Sequence, residues 1–243
     1  MFVSEKKYRI AASLLVLLLL LTGCGAKGEE AEEVSAAQQE RLAQLGEDAE
    51  NGLFIVINKE NSVTEDYKPD DLESIKYYAE DRDPQWRYLR AEAADKFHEM
   101  VEAARDDGID FVMTTAYRSY AFQTILWNNA VTRYGSEEAA NNMVARPGES
   151  EHQSGLDVDI SSSENNYQLN ENFGDTEAGK WVSANAADYG FVLRYPSDKT
   201  DITGYGFEPW HLRYVGETAA KEITEQGLAL EEYVEQLQDE GIL

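Results

Sequence analysis

A chain of 243 residues with 47 acidic against 21 basic side chains carries a formal charge of −26 at neutral pH, which repels phosphate and argues against a nucleic-acid partner. Its one cysteine, Cys24, excludes an intramolecular disulfide, so the fold must be held by its core, with a bound metal as the remaining staple.

The first residues read as a targeting segment. Lys6, Lys7 and Arg9 precede an apolar run from Ile10 to Leu21. That run is about a dozen residues, short of the roughly 20 that span a bilayer, so residues 1–23 are expected to be an export signal. It ends in Leu21-Thr22-Gly23-Cys24. A cysteine behind a small residue at the end of such a run resembles the bacterial lipobox, which implies acylation of Cys24 and a lipid anchor on the outer side of the cell membrane. From Gly25 to Asn51 the composition shifts to Glu, Ala and Gln with few large apolar residues. Residues 24–51 are therefore expected to be an acidic flexible tether, with at most a transient helix around Glu40 to Leu45. Residues 52–243 are long enough for one domain with a sizeable core, and a monomer is expected.

Leu53 to Ile57 is a β-branched run bounded by turn residues, which predicts a strand. An irregular segment with Pro69 follows, and then the clearest helix, Arg87 to Asp107: Leu89, Ala93, Phe97, Met100, Val101 and Ala104 recur at three and four, and Gly108 stops it. His98 falls off that stripe and is expected on a solvated face. Phe111 to Ala116 predicts a short strand that delivers Tyr117-Arg118-Ser119-Tyr120. Helices are predicted over Ala121–Arg133 and Ser136–Ala145, the second stopped by Pro147-Gly148. Leu156, Val158 and Ile160 alternate with Asp157, Asp159 and Ser161, the period of a strand with one dry face and one face carrying acid. A helix over Thr176–Tyr189, a strand over Phe191–Tyr195, an extended piece around Glu208–Val215 and helices between Thr218 and Leu237 complete the chain. Without a regular βαβ rhythm, the mixture predicts an α+β domain with a small, largely antiparallel sheet flanked by helices. No internal repeat is visible.

His152, Asp159 and His211 are the residues that can do metal chemistry. Zinc takes imidazole nitrogen and carboxylate oxygen, and a catalytic site keeps three protein ligands and one open position. Histidines near strands are as readily structural, and spacing alone leaves both readings open. Glu208 precedes His211 by three, with Pro209 between them, and proline disfavours a helix at the residue before it. In a turned segment Glu208 can face a water and take its proton.

Ser150-x-His152-x-x-Gly155-x-x-x-Asp159 with Glu208-x-x-His211 resembles the zinc D-alanyl-D-alanine carboxypeptidases of the VanY-like family and their L,D-carboxypeptidase relatives. The likeness takes in Asn58 to Asn61, Tyr117 to Tyr120 with Gln123, Arg146-Pro147-Gly148, Tyr189 to Pro196 and Leu230 to Tyr233. The resemblance implies the Hedgehog/D,D-peptidase-like zinc fold and an enzyme that removes the terminal D-alanine from peptidoglycan stem peptides. It implies one Zn2+ on His152, Asp159 and His211, Glu208 as general base, and Arg118, Gln123 and Ser150 at the substrate. Arg118 suits a terminal carboxylate or a developing oxyanion. Trp210 is a candidate pocket wall, with core packing as the alternative. Asp157 stands where the family most often has a small residue; it is expected to point into solvent past the strand edge, a place beside the metal being the alternative. An endopeptidase of the same fold and a non-catalytic wall-binding lipoprotein are the competing functions, and the D,D- or L,D-configuration of the scissile bond is left open.

Overall fold

The computed structural model describes residues 35–141 and 143–243. The expected export signal and Cys24 lie outside them. In chain order the elements are α1 (Ala36–Glu50), β1 (Leu72–Ser74), β2 (Tyr88–Arg90), α2 (Ala91–Asp106), β3 (Val112–Thr115), α3 (Tyr120–Tyr134), α4 (Glu137–Ala140), β4 (Asp157–Ser161), α5 (Glu177–Asn185), β5 (Phe191–Leu193), α6 (Thr200–Thr203), β6 (His211–Tyr214), α7 (Glu217–Gln226) and α8 (Leu230–Asp239). The central sheet runs β3-β4-β6-β5 with every pairing antiparallel, and β1 and β2 form a separate antiparallel pair. This is the expected α+β architecture.

Register explains how the sheet builds a site. Asp157 lies opposite Arg213, Val158 opposite Leu212 and Asp159 opposite His211. Directly opposed residues share a face, so Asp157, Asp159, His211 and Arg213 occupy one face of the β4/β6 pair. Val158, Ile160, Leu212 and Tyr214 occupy the other, where they join Ala93, Phe97, Met100 and Val101 of α2 in the main core. The acid face is not in water. All five residues of β4 and all four of β6 are buried, because the segment before β4 and the chain around Arg194 and Tyr195 cover it.

The tether expected over residues 24–51 is corrected where it can be seen. Residues 36–50 are α1, capped by Ser35, whose side chain accepts from the Gln38 N–H. Leu45 is fully buried in a second core with Phe54, Val192, Val215, Ile223, Tyr233 and Leu237. Arg41 binds Glu222 at 2.6 Å and Glu240 at 2.8 Å. Good helix formers need only one well-placed apolar anchor to dock, and composition averages that anchor away.

Three smaller expectations also change. Leu53–Ile57 is not a strand: the run begins in a turn, and the carbonyls of Leu53 and Ile55 accept from Arg213 Nη2 at 2.8 and 2.7 Å. Its backbone acceptors are thus satisfied by a buried guanidinium instead of a ladder. The helix expected over Ser136–Ala145 ends at Ala140. His98 is buried, its Nε2 accepting the Lys76 N–H at 3.0 Å, and it takes no part in the site.

Candidate active site

His152 sits in a 3₁₀ turn, Glu151–Ser154, that feeds β4 through Gly155. Gly155 has φ +72°, a conformation that favours glycine, and a Cβ there would come within 2.9 Å of the Leu72 Cδ2 methyl, which would have to move aside. The same turn holds the neighbouring substrate candidate, since the Arg118 N–H donates to the His152 carbonyl at 3.0 Å. Ser119 then caps α3 by accepting from the Phe122 N–H.

His211 is placed by the turn before β6. Its N–H donates to the Glu208 carbonyl at 3.1 Å, a turn with Pro209 in second position, where its fixed φ fits. That turn folds the Glu208 side chain back until Oε2 lies 3.5 Å from His211 Nδ1.

Sheet register and this turn bring the three expected ligands together. Asp159 Oδ2 is 3.3 Å from His152 Nε2, and Oδ1 is 3.2 Å from His211 Nδ1. The three donor atoms lie within 4.8 Å of one another. Ligands of a tetrahedral zinc stand about 3.4 Å apart when each bond is 2.0–2.2 Å, so the spacing fits such an ion. The tautomers fit as well. His152 Nδ1 lies 2.9 Å from the Ala116 carbonyl, which fixes its proton there and leaves Nε2 as a lone pair. His211 Nε2 lies 3.2 Å from Asp157 Oδ1, which fixes that proton and leaves Nδ1 for the metal.

Electrostatics separate the two histidines. Burial lowers the His152 pKa, with Arg118 adding to it, so the imidazole is neutral as a ligand must be. Burial also pushes His211 down, but Asp157, Asp159 and Glu208 outweigh it and raise it well above the usual range. Three carboxylates around one imidazole make a place for positive charge. Burial alone would raise Asp159, yet His152 and His211 hold it far below the usual carboxylate range, so it is ionised throughout physiological pH.

Asp157 is the clearest correction at the site. It does not point into solvent: it is fully buried, accepts from Ser154 Oγ at 2.8 Å and orients His211. Burial would raise its pKa, but Arg213 and His211 hold it well below the usual range. Replacing Asp157 with alanine is expected to weaken metal binding by about 10–100-fold. Asparagine, whose amide oxygen still accepts from Nε2–H, should recover most of that loss. Competition against a chromophoric chelator measures both, and an alanine variant with unaltered affinity would show that His211 is held without Asp157.

The ligands open onto a cavity of about 540 Å³ whose lining includes Arg118, Gln123, Ser150, Glu208 and Trp210, so every expected substrate residue reaches it. Arg118 Nη2 lies 3.3 Å from Asp159 Oδ2, with the side chain 19% exposed. Gln123 is buried; its Nε2 donates to the Ala145 carbonyl at 2.8 Å, and its Oε1 has no partner. Ser150 is buried and makes no side-chain cap to the turn it precedes. Trp210 both lines the cavity and packs against the main core, so the two readings of it coexist.

One part of the site escaped the sequence. Glu151 accepts from Arg194 Nε at 2.7 Å and from Arg213 Nη1 at 2.6 Å, and Arg194 continues to Glu231 on α8 at 2.6 Å. Glu151, Asp157 and His211 also approach within 4.8 Å. The two guanidiniums already supply the positive charge that a second ion would bring. The available signal was an arginine among apolar residues at the end of β5 and another within β6, Val192-Leu193-Arg194-Tyr195 and His211-Leu212-Arg213-Tyr214. Tyr195 lies against the site, its ring 4.9 Å from that of His211.

A family model described as VanY, D-alanyl-D-alanine carboxypeptidase, matches residues 86–217. The putative carboxypeptidase YodJ of Bacillus subtilis (strain 168) is 46% identical over 187 residues, 76% of this chain and 68% of YodJ. Among solved structures, the LdcB LD-carboxypeptidase is 47% identical with a TM-score of 0.72, covering 75% of this chain and 86% of that one. The vancomycin-resistance D,D-pentapeptidase VanY from a VanB-type cassette, a mutant solved in complex with Zn(II), is 33% identical with a TM-score of 0.61, covering 74% of this chain and 98% of that one. The chain belongs to the VanY D-alanyl-D-alanine carboxypeptidase family.

Proposed function

We propose that this protein is a zinc-dependent carboxypeptidase that releases the terminal D-alanine of peptidoglycan stem peptides. The observation that carries the reading is a carboxylate outside the ligand set, Glu208, held 3.5 Å from a metal-facing nitrogen at the wall of a cavity that also presents Arg118. His152, Asp159 and His211 would hold the ion. When bound, zinc supplies Lewis acidity, which polarises a carbonyl and makes water a nucleophile near neutral pH.

The chain's own residues do the rest. Glu208 takes a proton from the attacking water and returns it to the departing amine. The Arg118 guanidinium offers a planar fork of donors to the substrate's terminal carboxylate and positive charge to the oxyanion that develops on the scissile carbonyl. Gln123 and Ser150 present polar groups along the same cavity, and Trp210 adds an apolar surface to its lining.

The family's members split between two bonds. Identity of 47% to an LD-carboxypeptidase against 33% to a D,D-pentapeptidase favours stems in which the residue before the terminal D-alanine is L-configured. Mass spectrometry of products from defined tetrapeptide and pentapeptide muropeptides tests this: single alanine losses are expected, faster from the tetrapeptide. Internal cleavage with no alanine released would assign the protein as an endopeptidase instead. A pure binder of wall fragments has no use for Glu208 beside the ion.

The proposal extends to location. The basic start, the apolar run and Cys24 behind Gly23 support export and acylation of Cys24, placing the domain outside the cell on a lipid anchor. Among the described residues no helix is long and apolar enough to cross a membrane.

A further inference from the structure

In a chain with more than twice as many acids as bases, a cation is expected to find a carboxylate. Of the 17 described lysines and arginines, 12 do so within 4.0 Å. Lys59, Lys68, Lys76, Arg87 and Arg133 do not. Arg87 is engaged otherwise, with its guanidinium 3.6 Å from the centre of the Tyr78 ring and donating to the Arg82 carbonyl. Lys76 is exposed and lines neither large cavity. The other three are not scattered. Lys59 and Arg133 line the catalytic cavity, and Lys68 lines an aromatic pocket that shares Arg118 with it.

Lys59 is held in place without an acid. Its Nζ donates to the Gly204 carbonyl at 3.3 Å and lies 4.8 Å from the centre of the Tyr205 ring, which itself lines the cavity. Arg133 comes from a different element, the last turn of α3, where a cation suits the helix terminus and its guanidinium lies 5.7 Å from the Tyr134 ring. Those contacts leave the charge of each uncompensated. The acids of the cavity are spoken for: Glu151 by Arg194 and Arg213, Asp159 by His152, His211 and Arg118, and Glu208 by the turn to His211. On a strongly anionic molecule the cavity lining thus carries two cations, Lys59 and Arg133, with no carboxylate within 4.0 Å among the described residues.

We propose that Lys59 and Arg133 recognise a second free carboxylate of the substrate, upstream of the scissile bond, while Arg118 serves the reacting end. The substrate class is narrowed to stem peptides whose upstream acidic residue is a free acid and not its amide. This inference rests on the carboxypeptidase reading.

The test uses matched stem peptides that keep the terminal D-alanine carboxylate and differ only in a free or amidated upstream carboxylate. For the full domain with zinc, the free acid is expected to have about five-fold higher kcat/KM, carried by KM, the scale of exposed ion pairs. Raising the salt concentration should shrink the ratio. The double variant Lys59→Gln, Arg133→Gln should bring the ratio to about one, whereas Lys76→Gln, which removes one positive charge away from the cavity, should keep it. A ratio near one in the unmodified protein, or a ratio that survives the double variant, overturns the inference alone. Release of alanine from neither peptide overturns the carboxypeptidase reading and this inference with it.

Discussion

Replacing Glu208 with glutamine is expected to lower turnover by about 10²–10⁴-fold while zinc content stays near one per chain. The ligand set His152, Asp159 and His211 does not include Glu208, and the side chain is 28% exposed, so the cavity need not rearrange around the new amide. Glutamine preserves shape and the backbone turn to His211, which is made by main-chain atoms. It removes only the ability to take and return a proton. Steady-state alanine release and elemental analysis on the same preparation separate the two effects. Unaltered hydrolysis would refute Glu208 as the base, and loss of metal would show that it helps hold the ion.

The second large effect concerns stability. Glu151 is fully buried between Arg194 and Arg213, and each contact is 2.7 Å or shorter. Removing one member of such a group leaves a charge in a dry interior, a loss of about 3–5 kcal/mol, against total stabilities of about 5–15 kcal/mol for single domains. Arg194 retains Glu231, so the burden falls on Arg213, whose other partners are the Leu53, Ile55 and Tyr214 carbonyls. Glu151→Ala is therefore expected to lower Tm by about 10 °C. Because Arg213 lies beside Asp157, the variant should also weaken metal binding. Thermal melts with and without zinc check both. A melting temperature within a degree or two of the parent would mean that the arginines find water or other acceptors.

Much of the site was legible because a strand repeats every two residues. Asp157 and Asp159 were assigned to one face, and the opposed register of β4 and β6 brings His211 onto it. Alternation does not say what covers a face, and this is why Asp157 was expected in water: its environment comes from Arg213, Ser154 and His211, which are set by tertiary packing. The Glu-Pro-Trp-His segment was readable as a turn because proline constrains its neighbour. The ion-pair network was not, since a buried arginine is recognised only through its partners, and Glu151, Arg194, Arg213 and Glu231 are far apart in sequence. Helix α1 was missed for a related reason. Its docking depends on Leu45 and Arg41, two residues in a segment whose average composition is that of a linker.

Release of D-alanine from a stem tetrapeptide, followed before and after zinc is stripped and restored, tests the account most directly. Alanine should appear with the zinc-loaded protein, fall to background after chelation, and return when one equivalent of Zn2+ is added. Release that persists in the chelated protein, or its absence from fully loaded protein on both tetrapeptide and pentapeptide stems, would contradict the assignment.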